Sequence, residues 1–66
     1  METLADRFVS EQARVREILG YYKEIGRAGL FGVAVIEQLL YKADKAAMDQ
    51  DTIAMLSIVQ ELQAVK

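Results

Sequence analysis

Residues 26–36 read Gly-Arg-Ala-Gly-Leu-Phe-Gly-Val-Ala-Val-Ile, and the helical patterns on either side meet at this stretch. Three of the four glycines of the chain recur here at every third position, and an apolar run follows them. Glycine gives the backbone a freedom that other residues lack, so clustered glycines between two helical patterns favour a turn. We therefore predict a glycine corner at residues 26–29, where a first helix ends and a more buried second helix begins.

The sequence before the corner has apolar residues at alternating spacings of four and three, which is typical of an α-helix with one buried face. It predicts a helix over residues 3–25. Thr3 followed three residues later by Asp6 matches a capping box in its aspartate form, which favours a helix start at this point. Gly26 is expected to end the helix in the left-handed conformation. The predicted inward-facing residues are Leu4, Phe8, Val15, Ile18, Tyr22 and Ile25.

Glu11 occupies the one position of this inward pattern that is not apolar. Two interpretations are open. Glu11 lies in water because this end of the helix protrudes from the core, or it fixes the register of a dimer interface with Arg7 or Arg14 as its partner.

The second helix is predicted over residues 29–48, and its first half is apolar on almost every side. A helix that is apolar all round is buried all round, and two short helices cannot cover it. This pattern favours a homodimer or a partner protein on the remaining face. Gly29 and Gly32 favour a close approach of another backbone, and the alternative is an anion held at the helix N-terminus beside Arg27. The predicted inward-facing residues are Val33, Ile36, Leu40, Ala43 and Ala47.

A third helix is predicted over residues 51–65, with Asp51 as its N-cap. Met48 and Met55 are interpreted as core-filling residues. The whole chain, residues 1–66, is predicted to be a single all-α domain of three helices, packed as a homodimer. The predicted inward-facing residues of the third helix are Ile53, Leu56, Val59 and Leu62, with Met55, Ile58 and Val65 widening the face.

Composition excludes several classes of function. The 66 residues contain no cysteine and no histidine and carry a formal net charge of −2. The usual general bases, strong nucleophiles and zinc ligands are therefore missing, and we predict a protein that is not an enzyme and has no cofactor or metal. Nucleic-acid binding is not expected, because it needs a clustered basic face. The sequence shows neither a leader pattern nor an apolar run long enough for a membrane helix, which favours the cytoplasm.

Candidate partner-binding residues lie at and around the corner. Adjacent residues on a helix point about 100° apart, so Tyr22 is expected to face inward while Tyr21 lies on a flank. Aromatic and arginine side chains are enriched at binding hot spots. The predicted partner-binding residues are Tyr21, Tyr22, Arg27, Leu30, Phe31 and Val35.

Three segments carry a resemblance to small helical early proteins of Mu-like bacteriophages. They are Tyr-Tyr-Lys-Glu-Ile-Gly at 21–26, Phe-Gly-Val-Ala-Val-Ile-Glu-Gln at 31–38 and Ala-Asp-Lys-Ala-Ala at 43–47. The best understood protein of this group is an anti-activator of quorum sensing that binds and disables host regulators, and it is similar in size and helical make-up. The resemblance implies a phage or prophage inhibitor or adaptor that binds a host regulatory protein, with a transcriptional regulator as the candidate.

Two other functions remain open at this point. The chain also resembles phage proteins that sequester cyclic dinucleotides, which are small oligomeric helical hairpins with a tyrosine and a lysine around a phosphate pocket. That resemblance implies a nucleotide-binding role for Tyr22, Lys23 and Arg27. The other alternative is a structural subunit of a larger assembly.

Overall fold

A computed structural model describes residues 2–66 and contains three α-helices. Helix α1 spans Leu4–Glu24, α2 spans Leu30–Met48 and α3 spans Thr52–Ala64. A single 3₁₀ turn, Gly26–Gly29, joins α1 to α2. Each helix packs against both of the others, and no strand is present in the part of the chain that the structure describes. The predicted all-α class with three helices is confirmed, although α2 begins at Leu30 rather than at Gly29.

Side-chain caps define where α1 and α3 begin. The Thr3 hydroxyl accepts a hydrogen bond from the Asp6 backbone N–H at 3.1 Å, and the Asp6 carboxylate accepts one from the Thr3 N–H at 3.2 Å. Asp51 accepts from the Ala54 N–H at 3.1 Å at the start of α3. Gly26 follows α1 with a φ of 68°. The predicted capping box, the Asp51 N-cap and the left-handed Gly26 are therefore confirmed.

The core contains apolar residues from all three helices, and α2 contributes half of them. Two of its residues, Ala43 and Ala46, are small, which lets the neighbouring helices approach closely. Burial of this apolar area is the main favourable term in folding. The buried apolar residues are Phe8, Val15, Ile36, Leu39, Leu40, Ala43, Ala46, Ile58, Val59 and Leu62.

Five residues predicted to lie in the core are exposed: Ile25, Ala47, Met48, Ile53 and Leu56. Each error has a physical reason. Ile25 lies beyond the last turn of α1, at the corner. Ala47 lies on the same face of α2 as Leu40 and Ala43 but in the last turn of the helix, whereas Met48 points away from that face. Helix α3 is apolar on several sides, and it packs on a face next to the predicted one, which leaves Ile53 and Leu56 in water.

Asp44 of α2 connects this helix to α1. Its carboxylate accepts from the amide of Gln12 at 2.8 Å and from the Arg16 guanidinium at 2.8 and 2.9 Å. Gln12 is buried, so this hydrogen bond satisfies a polar group that would be costly to leave unpaired.

Arg14 connects α1 to the end of α3. Its guanidinium donates to the carbonyl oxygens of Leu62 at 2.7 Å and Val65 at 2.9 Å. Both carbonyls lie at the C-terminal end of α3, where Leu62 also accepts from the Val65 N–H at 3.2 Å, and a cation is favourable at this negative end of the helix dipole. Glu11 accepts from Arg14 at 2.8 Å. The Glu11 side chain is half-buried, and its partner Arg14 belongs to the same chain.

Gly20 gives a direct test of helix propensity in this fold. It lies on the exposed face of α1, and a Cβ atom there would meet nothing within 4 Å. We expect Gly20→Ala to raise the free energy of unfolding by about 1 kcal/mol, because glycine is that much worse than alanine inside a helix. The midpoint of thermal unfolding, followed by far-UV circular dichroism, should rise by roughly 4–8 °C. An unchanged or lower midpoint would contradict the placement of Gly20.

Candidate functional site

The corner between α1 and α2 is built on two glycines that lie against Tyr22. A Cβ atom on Gly29 would collide with the backbone carbonyl oxygen of Tyr22, and a Cβ atom on Gly32 would collide with the Tyr22 ring. The predicted close approach of a second backbone is therefore confirmed at Gly29. At Gly32 the neighbour is a side chain instead.

Tyr22 has a structural role within the chain. It is half-buried, it packs against the core, and its hydroxyl donates to the carbonyl oxygen of Lys66 at 3.1 Å. The sequence placed Tyr22 both on the inward face and among the partner-binding residues. The structure confirms the inward position and uses most of the ring in packing, so little of Tyr22 faces a partner.

Five apolar side chains are exposed at the corner end of the bundle, and we call this set the corner surface: Tyr21, Ile25, Leu30, Phe31 and Val35. Phe31 is 83% exposed, the largest fraction among the large apolar residues of the described chain. The sequence had singled out all of them except Ile25. The exposed position of Ile25 could have been inferred from the sequence, because Ile25 directly precedes the glycine that ends α1.

The length of α3 explains why the corner surface is open. At 1.5 Å per residue, the 19 residues of α2 extend about 28 Å, whereas the 13 residues of α3 extend about 20 Å. Helix α3 starts at the end of α2 that is far from the corner and runs back along it. It therefore covers the groove between α1 and α2 over most of its length and ends at Ala64, and only the last residues of the chain continue to the Tyr22 hydroxyl.

Helical positions place three members of the corner surface on the side of the bundle that faces α3. Val35 shares a surface cleft with Glu61 of α3. Phe31 lies one turn before Val35 on the same flank of α2. On α1, Arg14 is the residue that contacts the end of α3, and Tyr21 lies two turns further along the same flank. These side chains therefore continue the groove in which α3 lies.

Arg27 adds a positive charge to this apolar surface. It is exposed, and it forms no ion pair or side-chain hydrogen bond within residues 2–66. By contrast, Lys23 on the preceding turn of α1 lies 3.7 Å from the Glu37 carboxylate. An arginine beside exposed aromatic residues is a common composition for a binding hot spot.

The residues proposed for a phosphate pocket have different partners in this structure. The Tyr22 hydroxyl donates to Lys66, Lys23 pairs with Glu37, and only Arg27 faces solvent without a partner among the described residues. Two of these three side chains are therefore engaged by other groups of the chain. Within residues 2–66 there is also no group of three or more acidic side chains that could hold a metal ion.

Other exposed apolar residues lie away from the corner. Tyr41 is on α2, Met48 ends α2, and Ile53 lies in the first turn of α3. Sequence reasoning missed this second group because it had assigned Met48 and Ile53 to the core.

No helix in the described part of the chain combines the length and the apolar character that crossing a membrane requires. Comparison with known proteins found no matching family, no matching curated protein and no matching solved structure.

Proposed function

We propose that this chain is a small, non-enzymatic protein–protein interaction module that binds a larger protein through the corner surface. One observation carries the proposal: five apolar side chains, two of them aromatic, are exposed at the corner end of the bundle. Contiguous exposed apolar residues on a small protein are a common mark of an interaction site.

The shape of the groove suggests the kind of contact. The groove already holds the apolar face of α3, so its open end is suited to the apolar face of a further helix. Docking of an amphipathic helix into an apolar groove is a widespread mode of recognition. Arg27 at the rim favours a carboxylate on the partner close to its apolar anchors.

The finer part of the proposal concerns the partner and the biological role. We infer an inhibitor or adaptor, encoded by a phage or prophage, that forms a homodimer and binds a host regulatory protein in the cytoplasm. Its support is the resemblance in size and helical class to the small early proteins of Mu-like bacteriophages. The absence of histidine and cysteine supports the non-enzymatic part.

Substitution of Phe31 tests the proposal directly. We expect tagged wild-type protein to retain one host protein from bacterial lysate in near-stoichiometric amount, and Phe31→Ser to weaken that binding by about 30-fold or more, as for a hot-spot residue. The affinity would be measured with the purified partner by isothermal titration calorimetry. Phe31 is 83% exposed, so its replacement should leave the thermal midpoint nearly unchanged.

Tyr41→Ser is the matched control, because Tyr41 is also an exposed aromatic residue of α2 but lies outside the corner surface. It should bind the same host protein as tightly as the wild type. Equal loss of binding in both variants would contradict the assignment to the corner. A wild-type protein that retains no companion would contradict the interaction module itself.

A further inference from the structure

The turn between α2 and α3 closes with a strained residue. The Gln50 N–H donates to the Ala47 carbonyl at 3.2 Å, and the Asp51 N–H donates to the Ala46 carbonyl at 3.0 Å. These two bonds form a Schellman motif, whose left-handed position is usually glycine. Here Gln50 occupies it with a φ of 54°, and it is the only residue other than glycine with positive φ in the described chain.

The strain at Gln50 disappears if the turn opens into a helix. Residues 33–66 contain neither glycine nor proline, so nothing in the sequence prevents α2 and α3 from joining into one continuous helix. Only the three residues 49–51 separate the two helices. Short connections under strain favour the exchange of an element between two copies of a chain.

Two apolar residues flank this turn and are almost fully exposed. Met48, two residues before Gln50, is 82% exposed, and Ile53, three residues after it, is 81% exposed. The folded single chain gives neither of them a packing role. If two opened turns cross at a two-fold axis near Gln50, residues on opposite sides of that position meet between the copies. Met48 of one copy would then lie beside Ile53 of the other.

We propose that this protein forms a domain-swapped homodimer in which α3 of each copy packs into the groove between α1 and α2 of a second copy. Residues 49–51 become helical, and the core contacts of Ile58, Val59 and Leu62 are kept but are made to the second copy. The inference rests on the proposed function only for the expectation of a homodimer, and it leaves the corner surface free for another partner.

Electrostatics opposes the exchange. Asp49 and Asp51 of both copies approach one another at the two-fold axis, and four carboxylates repel. Salt screens this repulsion. The dimer is therefore expected to be more populated at high ionic strength, whereas a dimer held by opposite charges would weaken.

The test compares three versions of the chain after refolding at increasing protein concentration, with mass measured by light scattering on a sizing column. The wild type should form a dimer whose fraction grows with concentration. Gln50→Gly removes the strain from the turn of each of the two monomers and so stabilises the monomers relative to the dimer. It should therefore raise the dissociation constant of the dimer about 30-fold, which corresponds to about 2 kcal/mol. Gln50→Ala keeps the strain and favours helix, so it should dimerise at least as well as the wild type.

A second measurement separates an exchanged dimer from two copies that associate side by side. Isotope-labelled and unlabelled wild-type dimers should mix slowly under native conditions, because α3 must leave the core before subunits exchange, and quickly in denaturant. A monomer at all concentrations, or a dimer that Gln50→Gly leaves unchanged, would overturn the inference. Neither result affects the corner surface, which the Phe31→Ser binding experiment tests separately.

Discussion

Gly29→Ala is expected to remove most of the stability of this protein. The added Cβ atom would collide with the carbonyl oxygen of Tyr22 and would lie 2.9 Å from Cγ1 of Ile25. The first neighbour is backbone, so it cannot rotate away, and relief requires α1 and α2 to move apart at the corner. Overpacking of this kind reduces stability by about 3 kcal/mol. A core of this size supplies only ~3–5 kcal/mol in total.

Urea unfolding followed by circular dichroism measures this effect, and two other glycines serve as controls. Gly20→Ala should stabilise the protein. Gly26→Ala meets no steric neighbour but forces alanine into a φ of 68°, so it should be destabilising by only about 1 kcal/mol. A Gly29→Ala protein as stable as the wild type would show that the two helices do not approach as closely as the structure has them.

The sequence predicted the helix ends well because local chemistry determines them. Glycine at a left-handed position, a capping box and an aspartate N-cap act within a few residues, so Gly26, Thr3 and Asp51 could be assigned without knowledge of tertiary structure. The close contact at Gly29 could also be predicted, because a glycine lowers the stability of an apolar helix and is tolerated where a neighbouring backbone comes close. The identity of that neighbour, Tyr22, depends on how the two helices pack and could not be predicted.

The inward faces were harder to predict, above all in α3. Six of its 13 residues are large and apolar, so a spacing of three and four fits more than one face. The choice depends on how α1 and α2 are placed, which is a tertiary property. The same limit explains Ile25, because a periodic pattern cannot show that a third helix stops before the corner. The exposed positions of Tyr21, Leu30, Phe31 and Val35 agree with the predicted surface, and their binding role remains a prediction.

Truncation of a buried core residue should lower the free energy of unfolding far more than truncation of an exposed residue on the same helix. Phe8 is 1% exposed and is among the largest fully buried side chains of the described residues. We expect Phe8→Ala to lower the free energy of unfolding by about 3–5 kcal/mol, because it removes the transfer free energy of the ring and leaves a cavity. That is comparable with the whole stability expected of the chain, so the variant should be largely unfolded at 25 °C.

The adjacent residue gives the control. Val9 is 64% exposed on the same turn of α1, and Val9→Ala should change the stability by less than about 0.5 kcal/mol. Urea denaturation of both variants, repeated over a range of protein concentrations, adds a second result. If the native state is a dimer, higher concentration stabilises it by mass action and should partly restore the Phe8→Ala fold. Similar small losses in Phe8→Ala and Val9→Ala would contradict the packing of α1, because no arrangement that buries Phe8 under α2 and α3 leaves its ring dispensable.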